Sequence, residues 1–358
     1  MKKKKRVLVG MSGGIDSSVT AALLKKRGYD VIGITMQLVP KETEKQSACC
    51  NIGAINDAKR VASQLKIPHY TINIRDEFKH HVMDYFVNEY LIGHTPNPCV
   101  ECNRYIKFDA LEQKSKELNA DYIATGHYCK ITSTSNKSRF YLKKAKDEKK
   151  DQSYFLYMLS QDQLKRTLFP LGNYLKSEIR EMAHSFDLIN AKKKESQDIC
   201  FVTNGNYKSF IETMIDKQTI NPGNIVDSSG TILGKHTGLY NYTIGQRRGL
   251  NIAHTSPLYV IKLNKTKNEV IVGTKDELAT NQFKINTCSL VNPDKIQTNK
   301  LYSVKVRYQM IPFQCKLLTI HNDEILLEAS TPLKFITPGQ SCVIYDHDHV
   351  IGGGIITK

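Results

Sequence analysis

No stretch of this sequence approaches the roughly 20 consecutive apolar residues that a membrane-spanning helix needs. An export signal is not read either. Met1-Lys2-Lys3-Lys4-Lys5-Arg6 is basic, but only Val7-Leu8-Val9 follows before Gly10, where a signal peptide carries about 7–15 apolar residues. The expectation is a cytoplasmic chain with no membrane partner. Proline and glycine are modest, 11 and 21 of 358 residues, and 40% of the chain is hydrophobic, which excludes collagenous and disordered classes. Acidic residues are scarce beside basic ones: 35 Asp+Glu against 51 Lys+Arg leave a formal net charge of +16. Such an excess favours a polyanionic partner, nucleic acid first, with a lysine-rich compositional bias as the bland alternative. The nine cysteines are an odd count, so a structural disulfide set is not expected. Metal ligation or thiol chemistry is the better reading of any that cluster.

The first two hundred residues alternate strand-like and helix-like segments. Strands are expected at Lys5–Gly10, Asp30–Met36, His69–Ile74 and Asp121–Thr125, and helices at Ser17–Arg27, Ala54–Leu65, Glu77–Leu91 and Tyr105–Leu118. That alternation predicts an α/β domain with a mostly parallel sheet covered on both faces, and a ligand site beyond the carboxyl ends of its strands. The polar stretch Thr132–Arg139 reads as a hairpin tip or loop. From Asn221 onward short β runs appear between Gly, Pro and Asn: Gly223–Asp227, Leu258–Leu263, Val270–Gly273, Tyr302–Arg307, Glu324–Ala329, Ser341–Tyr345 and Val350–Ile356. These predict one or two small all-β modules. Boundaries near 205 and 280 divide the chain into 1–205, 206–280 and 281–358.

Gly10-Met11-Ser12-Gly13-Gly14-Ile15-Asp16-Ser17-Ser18 joins the first strand to the first helix. Its glycines permit tight turns with φ > 0 and let main-chain N–H groups approach an anion. Ser17 and Ser18 sit at the helix start, where unpaired N–H groups and the helix dipole favour phosphate. Asp16 is placed to hold a magnesium ion beside it. The alternative is a plain glycine turn. A Walker A loop is excluded, because it needs four residues between its glycines and then Lys-Ser/Thr. The nearest approach, Gly230-Thr231-Ile232-Leu233-Gly234-Lys235-His236, has three and reads as a hairpin. Ser12-Gly13-Gly14-Ile15-Asp16-Ser17 instead resembles the PP-loop of ATP pyrophosphatases, which cleave ATP to AMP and pyrophosphate and adenylate a substrate oxygen.

Asn97-Pro98-Cys99-Val100-Glu101-Cys102-Asn103 is read between two helices. A helix N-terminus and a neighbouring cation both stabilise a thiolate, and Arg104 and Lys107 are close by. Cys200 lies far downstream in Ser196-Gln197-Asp198-Ile199-Cys200-Phe201, after Lys192-Lys193-Lys194. Cys102 and Cys200 could be a nucleophile and its resolving partner, or metal ligands with Cys49 and Cys50. Structural zinc needs four ligands, and an iron–sulfur cluster on Cys99, Cys102 and Cys200 is a less favoured reading. Cys129, Cys288, Cys315 and Cys342 lie in apolar β-like contexts and read as core thiols.

Together these motifs resemble one family, the bacterial tRNA-specific 2-thiouridylases, over essentially the whole chain. The resemblance rests on the glycine loop and on Asn97-Pro98-Cys99-x-x-Cys102-Asn103 running into Ile106-Lys107-Phe108. It adds Ala124-Thr125-Gly126-His127-Tyr128, Lys150-Asp151-Gln152-Ser153-Tyr154-Phe155 and Ser196–Phe201. It continues through Gly234-Lys235-His236-x-Gly238 and Tyr242-Thr243-Ile244-Gly245-Gln246-Arg247-Arg248-Gly249-Leu250. It implies a PP-loop domain, a small mainly-β central domain and a C-terminal β-barrel that contacts tRNA.

The resemblance also implies roles. ATP with magnesium would bind Gly10, Met11, Ser12, Gly13, Gly14, Ile15, Asp16 and Ser17, with Met36 and Gly126 lining the nucleotide pocket. AMP transfer would turn the 2-oxygen of the wobble uridine into a leaving group. Cys200 would carry a persulfide delivered by a sulfur-carrier protein, and Cys102 would attack it, leaving a Cys102–Cys200 disulfide for a reductant to reset. Release of hydrosulfide by Cys102 is an open second route. Asn97, Pro98 and Cys99 would meet the target base, with His127, Lys150, Asp151, Gln152, Arg307, Tyr308 and Gln340 on the tRNA. The family suggests tRNAs for Lys, Glu and Gln as substrates, and a monomer is expected. Many members carry aspartate where this chain has Cys99, so a carboxylate is lacking there; Asp198 or a water is the substitute. Lys143–Lys150, with five lysines in eight positions, follows the phosphate backbone in this reading and is a solvated loop in the alternative. Rival readings are another PP-loop adenylating enzyme, or a non-catalytic RNA-binding protein with a structural metal. Neither accounts for both the loop and the Cys102/Cys200 pair.

Overall fold

A computed structural model describes residues 4–40, 52–194, 199–202, 205–216, 220–321 and 323–357. Cys49, Cys50 and Asp198 lie outside the described residues. The chain forms two compact units, 1–83 with 98–205 and 348–350, and 84–97 with 206–347 and 351–358.

In the first unit β1 (Arg6–Gly10), β2 (Asp30–Gln37), β3 (His69–Asn73) and β4 (Tyr122–Ala124) are followed by the hairpin β5 (Lys130–Ser133) and β6 (Phe140–Lys143), then β7 (Thr167–Leu168). The sheet runs β3-β2-β1-β4-β7 and every pairing is parallel. Val7, Leu8 and Val9 are all wholly buried, as expected of a strand covered on both faces. Helix α1 (Ile15–Lys26) packs Val19, Leu23 and Leu24 into the same core. Strand order reverses between β1 and β4, so the loops that follow these two strands part and leave a crevice. The glycine loop follows β1, and Gly126 and His127 follow β4.

The helical run expected from Tyr105 begins earlier. Pro98 opens it, and it passes through Pro98–Glu101, a π-helical turn at Cys102–Phe108 and an α-helix at Asp109–Glu117. Proline suits a first helical position because its missing N–H has no intrahelical acceptor there. Cys99 and Cys102 therefore stand on helix, not in a connecting loop.

In the second unit β8 (Gly223–Val226), β9 (Ile232–His236), β10 (Tyr259–Asn264) and β11 (Glu269–Gly273) form a small sheet ordered β10-β11-β8-β9. Gly230–His236 is indeed the far side of a hairpin, turned at Asp227–Thr231. The helix Tyr85–Leu91 belongs to this unit: Tyr90 stacks on Tyr207 at 4.7 Å and Phe86 meets Phe210 at 6.1 Å.

β12 (Thr280–Leu290), β13 (Leu301–Lys305), β14 (Phe313–His321), β15 (Glu324–Leu333), β16 (Ser341–Asp346) and β17 (His349–Ile356) run β12-β15-β14-β13-β16-β17, and β17 pairs back to β12. Closure leaves no open edge among these six strands. Alternate residues point inward: Ile325, Leu327 and Ala329 on β15, Cys315 and Leu317 on β14. Cys129, Cys315 and Cys342 are buried as expected, whereas Cys288 is half-buried.

Leu327 is wholly buried at the centre of the barrel. Leu327→Ala is expected to cost about 2–5 kcal/mol, read by hydrogen exchange as faster opening of the barrel amides with the parallel sheet unaffected.

Candidate active site

The loop after β1 is held open by its own hydrogen bonds. Ser12 N–H donates to Ser17 Oγ at 3.1 Å, Ser17 Oγ donates to the Gly14 carbonyl at 3.1 Å, and Ser18 Oγ to the same carbonyl at 2.9 Å. Gly13 has φ +71°, and a Cβ there would lie 2.2 Å from the Ala54 carbonyl oxygen. No side chain caps α1 at Gly14, which leaves N–H groups of the first turn facing the crevice. Gly126 is needed for a different reason: a Cβ would stand 2.9 Å from both Asp16 C and Ser17 N. The loop after β4 thus rests directly on the backbone of the glycine loop.

Asp16 does not project alone. Lys176 Nζ meets both carboxylate oxygens, at 2.7 and 2.8 Å, and Tyr128 Oη donates to Oδ1 at 2.8 Å. Lys176 is almost wholly buried. Behind the loop, Asn190 Nδ2 donates to the Gly13 carbonyl at 3.1 Å and to Ser18 Oγ at 2.9 Å, and Lys193 joins the Gly13 carbonyl to Asp57. Tyr128 and Lys193 stand in the quoted runs Ala124–Tyr128 and Lys192–Lys194 without a role read at this loop, and Lys176 and Asn190 are site residues that no motif singled out. Each is a common residue with no distinctive spacing, and only the folded chain brings it to the loop.

These elements wall a cavity of about 370 Å³ beyond the carboxyl ends of β1, β2 and β4. Gly10, Met11, Ser12, Asp16 and Ser17 line one side and Met36 and Gly126 another. Pro98, Cys99, Cys102 and Lys107 come from the helical run, and Ile199, Cys200 and Phe201 from the 199–202 segment. Phe201 is seated edge-on against Phe78 at 5.7 Å, which anchors the segment bearing Cys200. Cys102 and Cys200 therefore face the same space, and neither is in a disulfide. Gly13, Gly14 and Ile15 shape the loop from behind the lining, and Asn97 is not among the lining residues. A larger cavity of about 550 Å³ lies at the opposite, amino ends of the strands, lined by Lys4, Lys5, Arg6, Lys25 and Lys66. It has neither glycine loop nor thiol, so the chemistry belongs to the smaller one.

The environment of Cys102 corrects a simple expectation. A thiol at a helix start should be acidic, but burial pushes Cys102 up to about 12, and Lys107 only partly offsets this. Desolvation of the thiolate outweighs the neighbouring cation. His127 shares a 2.7 Å hydrogen bond with Thr125 Oγ1 and its ring lies over Phe108. Burial and the Lys107 charge push its pKa down to about 3. It is a neutral imidazole that can hydrogen-bond a ligand but not lend it a proton at neutral pH.

Other sequence-singled residues have mixed settings. Gln152 lines the cavity and accepts from Tyr128 N–H at 3.0 Å. Asp151 is buried and turned inward, accepting from Ala145 N–H and from the Ser153 hydroxyl and N–H, so its carboxylate is not presented to a partner. Lys150 is half-buried, and within its lysine run Lys143 and Lys146 pair with Asp348 and Glu178. In the second unit Arg307 donates to Thr337 Oγ1 at 2.7 Å, and Lys305 lies over the Tyr308 ring. Gln340 Nε2 donates to the Thr95 carbonyl at 2.7 Å, so it fixes the segment leading to Asn97. Among the described residues no group of three or more His, Cys, Asp and Glu is arranged to hold a metal ion.

Three family models match the chain: a tRNA methyl transferase HUP domain over residues 5–204, a tRNA methyl transferase PRC-barrel domain over 208–274, and an aminomethyltransferase beta-barrel domain over 280–356. The chain is 47% identical to the tRNA-specific 2-thiouridylase MnmA of Lachnoclostridium phytofermentans, across 99% of this chain and 100% of that one. It is 44% identical to the protein of that name from Acetivibrio thermocellus, across 99% of each. It is 46% identical to the tRNA-specific 2-thiouridylase MnmA 1 of Caldanaerobacter subterraneus subsp. tengcongensis, across 100% of this chain and 99% of that one.

A histidine with a lowered folded-state pKa binds fewer protons than the unfolded chain does, so it favours folding above about pH 6.5 and loses that contribution as the pH falls. The NMR resonances of the His127 ring should accordingly show no titration between pH 8 and pH 5. A midpoint near 6.5 would contradict the neutral assignment.

Proposed function

The chain belongs to the tRNA-specific 2-thiouridylase family, and on that premise we propose that it uses ATP to exchange the 2-oxygen of a tRNA wobble uridine for sulfur carried on Cys200. The observation that carries this reading is a single cavity lined at once by the glycine loop, by Met36 and Gly126, and by the thiols of Cys102 and Cys200. Activation and sulfur transfer have one space in which to meet.

The steps follow from the chemistry of the lining. The triphosphate of ATP lies against the Gly10–Ser17 loop and the start of α1, where first-turn N–H groups favour an anion, with the nucleoside towards Met36 and Gly126. Asp16 is the one carboxylate among the described lining residues, and Lys176 and Tyr128 already engage it. A single carboxylate fits a magnesium ion that arrives on the phosphates and keeps most of its ligands from them and from water. When bound, magnesium would neutralise charge on the departing pyrophosphate, with Asp16 as its protein ligand. The uridine 2-oxygen attacks the α-phosphate and pyrophosphate leaves. The terminal sulfur of a Cys200 persulfide then attacks C2 and AMP departs. The Cys102 thiolate attacks Cys200 Sγ, the bond between Cys200 and the transferred sulfur breaks, and 2-thiouridine is released. A thiol reductant resets the Cys102–Cys200 disulfide. The persulfide comes from a sulfur-carrier protein, and tRNAs for Lys, Glu and Gln are the expected substrates.

His127, neutral at physiological pH, contributes a hydrogen bond at the base and leaves proton transfer to other groups. Cys99 lines the cavity where many relatives would present a carboxylate, so base contact at this position is apolar and soft rather than acidic.

Mass spectrometry of tRNA incubated with ATP and a persulfide source should detect 2-thiouridine. Cys200→Ser and Cys102→Ser should each abolish it, while ATP and tRNA binding stay within about threefold of the unmodified protein. Thiolation by either variant at the normal rate would refute the roles given to these residues. With a net charge of +16, tRNA affinity should fall at least about tenfold between 50 and 200 mM salt. A flat response would count against a phosphate-dominated interface.

A further inference from the structure

Cys102 as it stands is a poor nucleophile. Burial, helped by Cys200 and Cys99, holds its thiol near a pKa of about 12, and the thiolate is the reactive form. Two cations lie within five residues of it, and the structure separates them. Arg104 lays its guanidinium over the Tyr105 ring, 4.7 Å from the centroid, and does not line the cavity. Lys107 lines it, as Cys102 does. The reason is the local helix. Cys102–Phe108 is a π-helical turn, bonded from each residue to the fifth one on, so position 107 returns to nearly the same side as position 102. In an α-helix, with 3.6 residues per turn, it would point about 140° away. The reach of Lys107 across the same space is also felt at His127.

We propose that the π-helical turn places Lys107 as the positioning cation that eases ionisation of Cys102 when it attacks the sulfur of Cys200. This rests on the assignment of Cys102 as the attacking thiol. The thiol proton leaves to water in the cavity. The thiolate pair forms the new bond to Cys200 Sγ, and the pair of the broken sulfur–sulfur bond departs on the thiouridine. Lys107 remains an ammonium throughout. The groups that act on Cys102 are Cys99 from the preceding turn, Cys200 from the 199–202 segment and Lys107 from its own turn, and of these Lys107 is the one that favours the thiolate. His127, neutral, adds no charge.

The test is the pH dependence of Cys102 alkylation by iodoacetamide, followed by peptide mass spectrometry in the full chain. A Cys99→Ala background removes the exposed neighbouring thiol. Between about pH 7 and pH 10, Lys107→Met should slow labelling about tenfold and displace the profile to higher pH, and Lys107→Arg should restore it to within about threefold. Lys107→Gln, polar but uncharged, should behave as Met does and serves in its place if that variant does not fold. Labelling in the uncharged variants at the unmodified rate and pH dependence overturns the proposal. The two assignments fail separately. Thiolation by Cys102→Ser defeats the role of Cys102 whatever Lys107 does to labelling, whereas unchanged labelling in Lys107→Met with Cys102→Ser inactive defeats the role of Lys107 alone.

Discussion

Asp16 is the point on which the rest of the site depends. Its carboxylate gathers a lysine 160 positions away and a tyrosine 112 positions away, at 2.7 and 2.8 Å. Around that contact three chain segments become one wall: the glycine loop, the loop after β4 and the helix that begins at Lys176. Lys176 is nearly shut off from water, and a buried ammonium is tolerated only when an anion compensates it. The pairing therefore works in both directions, since Lys176 orients Asp16 and Asp16 is what lets Lys176 be buried. Gly126 completes the arrangement by allowing the second loop to lie on the backbone of the first. A glycine-rich segment is flexible by nature. Here its shape is imposed from outside, by residues whose own positions require the parallel sheet to be complete.

Much of this was legible in the amino-acid sequence because strong local signals coincide with the fold. The run Val7-Leu8-Val9 ending at Gly10 reads as a strand buried on both faces and is one. The serines and glycines after it mark an anion-binding turn, and the two cysteines that share the cavity stand in segments with distinctive neighbours. What escaped has physical reasons. β12 and β14 carry no clear strand signal, although both alternate inward and outward. In Phe313-Gln314-Cys315-Lys316-Leu317 the outward residues are strongly polar, and the inward set includes a cysteine, so no continuous apolar run announces a strand. β7 is only two residues long, Thr167–Leu168, and is a strand because β4 lies beside it.

The settings of single side chains were the least accessible to sequence reasoning. Asp151 sits in a motif that suggests an exposed polar contact, yet it organises the turn between Ala145 and Ser153 from within. Gln340 similarly spends its amide on the main chain at Thr95. For Cys102 the spacing points to an acidic thiol at a helix start, whereas desolvation decides the outcome. Motif grammar identifies which residue types a reaction needs. It does not report how much water each one keeps, and proton affinity turns on that.

Four thiols outside the cavity show the same effect of burial. Cys129, Cys315 and Cys342 are enclosed by packed side chains, half-buried Cys288 is held near 12, and every one is pushed towards its protonated form. Protonated sulfur trades bonds slowly. Among these four and Cys102, all enclosed or half-enclosed, Cys102 is the one with a cation, Lys107, set against the cost of its desolvation.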